Sequence, residues 1–491
     1  MQALFLIPIV FCILSGLFFG FYKRKSLFGN LFFLSVPAVA FFFSFALFFA
    51  ENDLSVELLA LSDDLILLLK ADLLGKIFGF LFSLIWLIVA VYAVFFLKEK
   101  EDANRFYAFD LLTLGAMLAL SYSGNVLTMY AAFESVTLAS MPLVLFDKTP
   151  EAKKAALKYL FYSLGGAFLG LTGVVAGIVF SSNGGEFVFG GTLNIEEGSR
   201  IFVQTALLLS LIGFGAKCGV FPLQAWLPSA HPVAPAPASA LLSGVITKAG
   251  VIAIIRLIFY VYGADLMRGS FVQYVWESLL LVTILLGSSL AVFQQSFKRR
   301  LAYSSISQLS YVLLGVCALN EDGFVGSLLH IGSHAFIKVG LFLIAGILIS
   351  RYSIHRVDEM EGIGKRAPAT MACFTLLSLA LIGIPPSGAF FSKWFLALGS
   401  IENGMPFFNY FGAVVLLISA ILTACYLLPI SISAFFPKTK GEFHREKEPL
   451  GYLIPVVILT LGVFALGFAS ESVSDFIRES VLGLAFAKGG I

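Results

Sequence analysis

Apolar runs of about 20 residues, the length a helix needs to cross a bilayer, follow one another along the whole chain with only short polar connectors between them. The pattern predicts about 14 spans, near 3–22, 31–50, 73–97, 106–122, 124–146, 157–181, 201–228, 237–261, 272–295, 301–319, 323–350, 368–402, 407–435 and 450–470. Two of them are overlong and interrupted. The seventh carries Gly213, Gly215, Gly219 and Pro222, and the twelfth is broken by GIPPSG at 383–388. The acidic stretch 51–72 holds a leucine-rich amphipathic piece to which the pattern assigns no element, and a short amphipathic tail follows the last span.

Composition sharpens this into a class. Of 491 residues 59% are hydrophobic and 13% charged, with mean hydropathy +0.94, against about 25% charged in soluble domains. The expectation is an all-α polytopic membrane protein with almost no mass outside the lipid bilayer. A net charge of +2 points to no nucleic acid. Cys12, Cys218, Cys317, Cys373 and Cys425 are widely spaced within apolar runs, which suits packing rather than a disulfide framework or a metal knuckle.

Orientation follows from charge. The first apolar run precedes the basic residues 23–25 instead of following them, the reverse of a cleaved signal, so it reads as a retained span with its N-terminus outside. Most of the 32 lysines and arginines then fall in the loops that begin at 23, 98, 147, 229, 296, 351 and 436, all on one side. The other side holds Lys70, Arg200, Arg268, Arg478 and Lys488. A miscounted span would reverse the downstream signs and spoil this asymmetry.

The remaining cations are the chemical signal. Lys217 and Lys248 lie deep in apolar sequence, where an unpaired cation costs about 3 kcal/mol. Irregular backbone at that depth survives only against protein or a wet cavity. Glu134, Lys217, Lys248 and Lys338 all fall within a turn or two of mid-membrane, which points to a polar path running sideways along the midplane. Burial disfavours the charged form of an amine and a neighbouring carboxylate restores it, so Glu134 opposite Lys217 would act as a proton switch. His330, His334 and Lys338 (HIGSHAFIK) share one helix face, and imidazole both accepts and donates near neutral pH. Glu134 could equally be interhelical glue, and the paired histidines a metal or haem site. Asp110 and Arg256, nearer span ends, suit anchoring as well as function. His231, in the inner proline loop, suits an inlet or plain solvation. Gly166, Gly170 and Gly177 read as close-packing residues, and Trp226 and Trp394 as interface anchors. Spans seven and twelve share a break, a lysine and a tryptophan (Lys217 with Trp226, Lys393 with Trp394), five spans apart, the spacing of an inverted repeat.

These residues resemble the antiporter-like subunits shared by Mrp-type cation/proton antiporters, respiratory complex I and related membrane-bound hydrogenases. The resemblance is carried by GFGAKCGVFPLQAWLPSAHPVAPAPASALLSGVITKAG, SHAFIKVGLFLIAG and GIPPSGAFFSKW. It implies two inverted five-helix repeats, spans four to eight (106–262) and nine to thirteen (263–436), between a three-helix region (1–105) and a last helix with its tail (437–491). It also implies an essential pair at Glu134 and Lys217, with Lys248, His330, His334, Lys338 and Lys393 continuing the relay. The family pattern allows glutamate in span twelve, where this chain has Lys393. The chain also stops shortly after its last span, whereas the largest members continue into a lateral helix.

The leading expectation is therefore a proton-translocating subunit in the plasma membrane of a prokaryote, with both termini outside. Its partners would be other membrane subunits, including homologous antiporter-like ones, and a redox module. The chain shows no catalytic residue, metal site or cofactor motif, so electrons would be handled by those partners. The alternatives are Na+/H+ antiport in the same architecture and a scaffold that does not pump; an organic-solute transporter comes last.

Overall fold

The computed structural model describes residues 5–22, 26–50, 53–62, 65–405, 408–438 and 444–482. The basic run at 23–25 and the tail beyond 482 lie outside the described residues. The chain is an integral membrane protein, mostly helical. Among the described residues ten helices are long and apolar enough to cross a membrane, and three shorter apolar ones accompany them.

In chain order the helices are α1 (Ile7–Phe21), α2 (Leu27–Phe48), α3 (Leu73–Phe96), α4 (Ala103–Ser121), α5 (Val126–Val144), α6 (Pro150–Val179), α7 (Arg200–Cys218) and α8 (Leu227–Val233). There follow α9 (Ala236–Tyr262), α10 (Phe271–Phe293), α11 (Phe297–Cys317), α12 (Glu321–Tyr352), α13 (Pro368–Ile382), α14 (Gly388–Ile401), α15 (Asn409–Phe435) and α16 (Leu450–Phe468). The two interior helices α9 and α12 are wrapped by the others, and their apolar windows are 100% and 94% buried. Only such a core can hold ionisable groups out of contact with lipid.

The all-α expectation needs one correction. The stretch 51–72 contains an antiparallel hairpin, β1 (Leu54–Ser62) and β2 (Leu65–Ala71), with Leu54 opposite Ala71. β-pairing satisfies the backbone groups of a leucine-rich segment that is too short to span. Its inner strand is tied to the turn after α4, with the Lys70 amide donating to the Tyr122 carbonyl at 2.6 Å and the Gly124 amide to the Leu68 carbonyl at 2.9 Å.

Asp72, which follows the hairpin and accepts from the Gly75 amide at the start of α3, also accepts from both terminal guanidinium nitrogens of Arg256, at 2.5 and 2.7 Å. Arg256 is fully buried and lies over the rings of Phe187 and Tyr260. It sits towards the C-terminal end of α9, eight residues after Lys248. Asp72→Asn would leave a buried guanidinium without its counter-charge, a loss of roughly 3–5 kcal/mol. Thermal unfolding of the detergent-solubilised protein, compared with the native residue, checks it.

Both sequence-predicted breaks are present, and their local chemistry is the same. α7 ends at Gly219 (φ 78°) and α13 at Gly383 (φ 99°), the left-handed conformation that closes a helix with a glycine. In each, the residue after the glycine donates back five residues, Val220 to Gly215 at 3.0 Å and Ile384 to Leu379 at 3.1 Å. The last-turn carbonyls still need donors, and here the breaks differ. The Trp226 indole donates to the Ala216 carbonyl at 2.8 Å, whereas at the second break Lys393 Nζ donates to Leu381 and Ile382 at 2.6 and 3.0 Å. Trp226 is therefore a buried cap and not an interface anchor, while Trp394 is 58% exposed.

A midplane line of buried polar side chains

Close helix packing brings the first lysine inward. Gly166 and Gly213 face each other, and a Cβ on either would stand 2.5 Å or less from the other's carbonyl oxygen. α6 and α7 therefore touch backbone to backbone just before Lys217. Its Nζ, fully buried, donates to Thr137 Oγ1 at 2.8 Å and to the Tyr159 hydroxyl at 2.6 Å. The Tyr159 hydroxyl in turn lies 2.7 Å from Ser140 Oγ. Lys217 also sits 4.6 Å from the centroid of the Tyr159 ring, a cation–π distance.

Glu134 is half-buried one turn before Thr137 on α5. Among the described ion pairs none joins it to Lys217, and its Oε2 has no hydrogen-bond partner. The amine rests on hydroxyls beside the carboxylate rather than on it. In place of the expected direct pair the amine has a two-hydroxyl cradle, because Thr137 and Tyr159 reach it from two helices at once, with Ser140 behind Tyr159.

The line continues across α9. The stretch Leu242–Ile246 is a π-helical widening, a departure that often marks a functional position. There the Ser243 carbonyl accepts from Thr247 Oγ1 at 3.1 Å and from Lys248 Nζ at 2.8 Å, and the same amine lies 2.8 Å from His334 Nδ1 on α12. Gly250, two residues later, packs on the end of α7, where a Cβ would meet the Phe214 carbonyl at 2.5 Å and Cys218 Sγ at 2.7 Å. That close approach keeps the Lys217 and Lys248 segments side by side.

On α12 the rings of His334 and His330 are 6.1 Å apart. His330 Nδ1 lies 2.8 Å from Ser392 Oγ on α14, and its Nε2 lies 3.1 Å from Gln308 Oε1 on α11. Lys393 follows Ser392, half-buried, with Nζ 5.2 Å from the Tyr311 ring centroid. Lys338, one turn beyond His334, turns off this line. It donates to the Leu301 carbonyl at 3.0 Å and to Ser304 Oγ on α11.

Two candidate residues stand apart. Asp110 on α4 is buried and accepts from the Trp86 indole at 2.9 Å, with its other oxygen unpartnered. His231 is not in a solvated loop: it is on α8, fully buried, stacked 4.5 Å from Phe342, and neither ring nitrogen has a partner. The proline-rich sequence around it forms the helix turn that carries the chain from the first break into α9. The groups absent from the sequence-based set are Thr137, Ser140, Tyr159, Gln308 and Ser392. Thr137 had a signal, its position one turn from Glu134; the others are ordinary polar residues of apolar helices whose role depends on a partner helix.

The arrangement is a series of amines, imidazoles and hydroxyls carried by α5, α6, α7, α9, α11, α12 and α14, hydrogen-bonded in local groups around Lys217, from Lys248 to His334, and around His330. Known proteins share its setting. Residues 123–421 match the family described as NADH:quinone oxidoreductase/Mrp antiporter, TM, a range that contains every member of the row. NADH-quinone oxidoreductase subunit N of Desulforudis audaxviator is 32% identical over 407 residues, 78% of each chain. A Na(+)/H(+) antiporter subunit from Alkalihalophilus pseudofirmus is 28% identical over 412 residues, 84% of this chain and 82% of that one. A chain of the Mrp complex from a Dietzia species has the same fold, with TM-score 0.85 at 19% identity over 99% and 98% of the two chains. With its row of buried lysines and histidines inside the matched range, the chain belongs to the NADH:quinone oxidoreductase/Mrp antiporter membrane family.

Proposed function

We propose that the chain moves protons through the row Glu134, Lys217, Lys248, His334, His330 and Lys393, as one subunit of a multisubunit energy-converting membrane complex. The observation that carries this reading is the hydrogen-bonded step from Lys248 to His334, which links the surroundings of one helix break to those of the other. Lys338 is a side branch, and Asp110, His231 and Arg256 are outside the path. The helix order supports fourteen crossings, with α13 and α14 together making one, and the one-sided lysines and arginines support both termini outside. The matched glycine caps of α7 and α13 support two inverted five-helix units, 106–262 and 263–436, between 1–105 and 437–491. Relatives in multisubunit complexes support other membrane subunits, homologous ones and a redox module among them, as partners in a prokaryotic plasma membrane.

Na+/H+ antiport in the same fold is the second reading, favoured by the name of one relative. Sodium needs several oxygen ligands, and Glu134 supplies a single carboxylate to a neighbourhood of amines and hydroxyls. Glu134→Gln keeps the shape and removes the exchangeable carboxyl proton. In sealed vesicles holding the intact complex, proton uptake is expected to fall about 100-fold with assembly unchanged. Undiminished proton uptake would refute the relay, and Na+ flux lost in parallel would favour the second reading.

A further inference from the structure

One buried carboxyl lies outside the row. Glu277 on α10 is 1% exposed and accepts only from the neutral amide of Asn403, at 3.2 and 3.3 Å. Among the described residues no cation pairs with it. Arg268, on the outer side just before α10, is committed to Asp265 at 3.6 Å and to the Leu319 carbonyl at 2.8 Å. Asn403 is itself fixed by accepting from the Met405 amide at 2.9 Å. A carboxyl held by a single neutral donor can take up and release a proton without breaking an ion pair.

Its position is as telling as its bonding. Glu277 lies six residues into α10, about 9 Å below the outer end of that helix. Two walls lead from it towards Lys393. On α14, Lys393 and Ser400 fall on one face, because seven residues are close to two turns, and Asn403 follows in the turn after the helix. On α11 the same spacing aligns Ser310 with Cys317, whose carbonyl accepts from Gln273 one turn before Glu277, at 3.0 Å. Ser310 Oγ and Ser400 Oγ are both buried and unpartnered, which is costly for a hydroxyl unless it serves something. α15 closes the side of the seam so tightly that a Cβ on Gly412 would stand 1.8 Å from Ser400 Oγ. At the inner end, Tyr311 on α11 carries Lys393 over its ring.

We propose that Glu277 is the outer proton port of the second unit, receiving protons from Lys393 along the Ser310–Ser400 seam and releasing them to the outer loops. The step makes and breaks only O–H and N–H bonds: a proton leaves the Lys393 ammonium, is carried by the seam hydroxyls, and is held by the Glu277 carboxylate until it is released outside. This rests on the proton reading above and adds to it the residue that releases the proton, Glu277.

The test uses the intact complex in sealed vesicles. Glu277→Gln, which keeps the contact with Asn403, is expected to lower proton translocation at least tenfold at unchanged assembly and Tm. Glu277→Asp is expected to restore a large part of it. Ser400→Val, which fills the seam and leaves the carboxyl in place, is expected to slow translocation as well, and it decides the matter if Glu277→Gln fails to assemble. Native rates in Glu277→Gln, or in Ser400→Val where the first variant does not assemble, would overturn the port. If Lys217→Met also pumps normally the proton reading itself falls; if Lys217→Met is inactive while Glu277→Gln is normal, only the port falls.

Discussion

Lys217→Met is expected to cut proton translocation by at least about 100-fold while leaving the complex assembled, measured as proton uptake per turnover of the whole complex in vesicles. Methionine matches the lysine stem in length and suits an apolar core, so the close contact of α6 and α7 at Gly166 and Gly213 survives. What disappears is the amine that stands between the Glu134 side of α5 and the Lys248 side of α9. Tyr159→Phe separates the lysine from its cradle. It removes a hydrogen bond to an amine that can be charged, worth about 1.5–3 kcal/mol, and keeps the ring that stands 4.6 Å from Nζ. The expected effect is intermediate, near tenfold. A Tyr159→Phe variant with native flux would mean that the hydroxyl cradle only fills space.

Lys248→Met is expected to have an effect of similar size, for a different reason. This amine bridges its own π-helical stretch and the histidine helix, at 2.8 Å to each. Without it His334 loses its Nδ1 partner, and its Nε2 is already unpartnered. The first half of the row is then cut from the second. A scaffold that does not pump would tolerate the exchange, because methionine fills the same volume in a fully buried site. Normal proton uptake by an assembled Lys248→Met complex would therefore favour the scaffold and end the lateral relay.

Several features are legible before any packing is known, and each has a local cause. The breaks at Gly219 and Gly383 need only the glycine and the prolines that follow it, since a left-handed cap is set by the residue itself. The shared face of His330 and His334 follows from the helical repeat. Other features are hidden because their cause is elsewhere in the chain. The hairpin in 51–72 depends on a register between two leucine-rich segments and on the turn at Tyr122 and Gly124. Arg256 reads as a candidate in sequence, yet Asp72, distant along the chain, accepts from both its terminal nitrogens. His231 reads as loop-like because prolines surround it, yet a short helix buries it against Phe342. Glu277 gives no signal, since nothing near it in sequence distinguishes it from an ordinary charge close to a span end.

The sequence by itself determined that the chain lives in a membrane and where its helices break, since hydropathy and glycine conformation are properties of short segments. The tertiary structure alone decided which groups touch. It gave Lys217 to Thr137 and Tyr159 instead of Glu134, joined Lys248 to His334, sent Lys338 aside to α11 and set Glu277 beside Asn403. Hydrogen bonds between side chains on different helices act over about 3 Å, and only the way the helices pack fixes positions that finely.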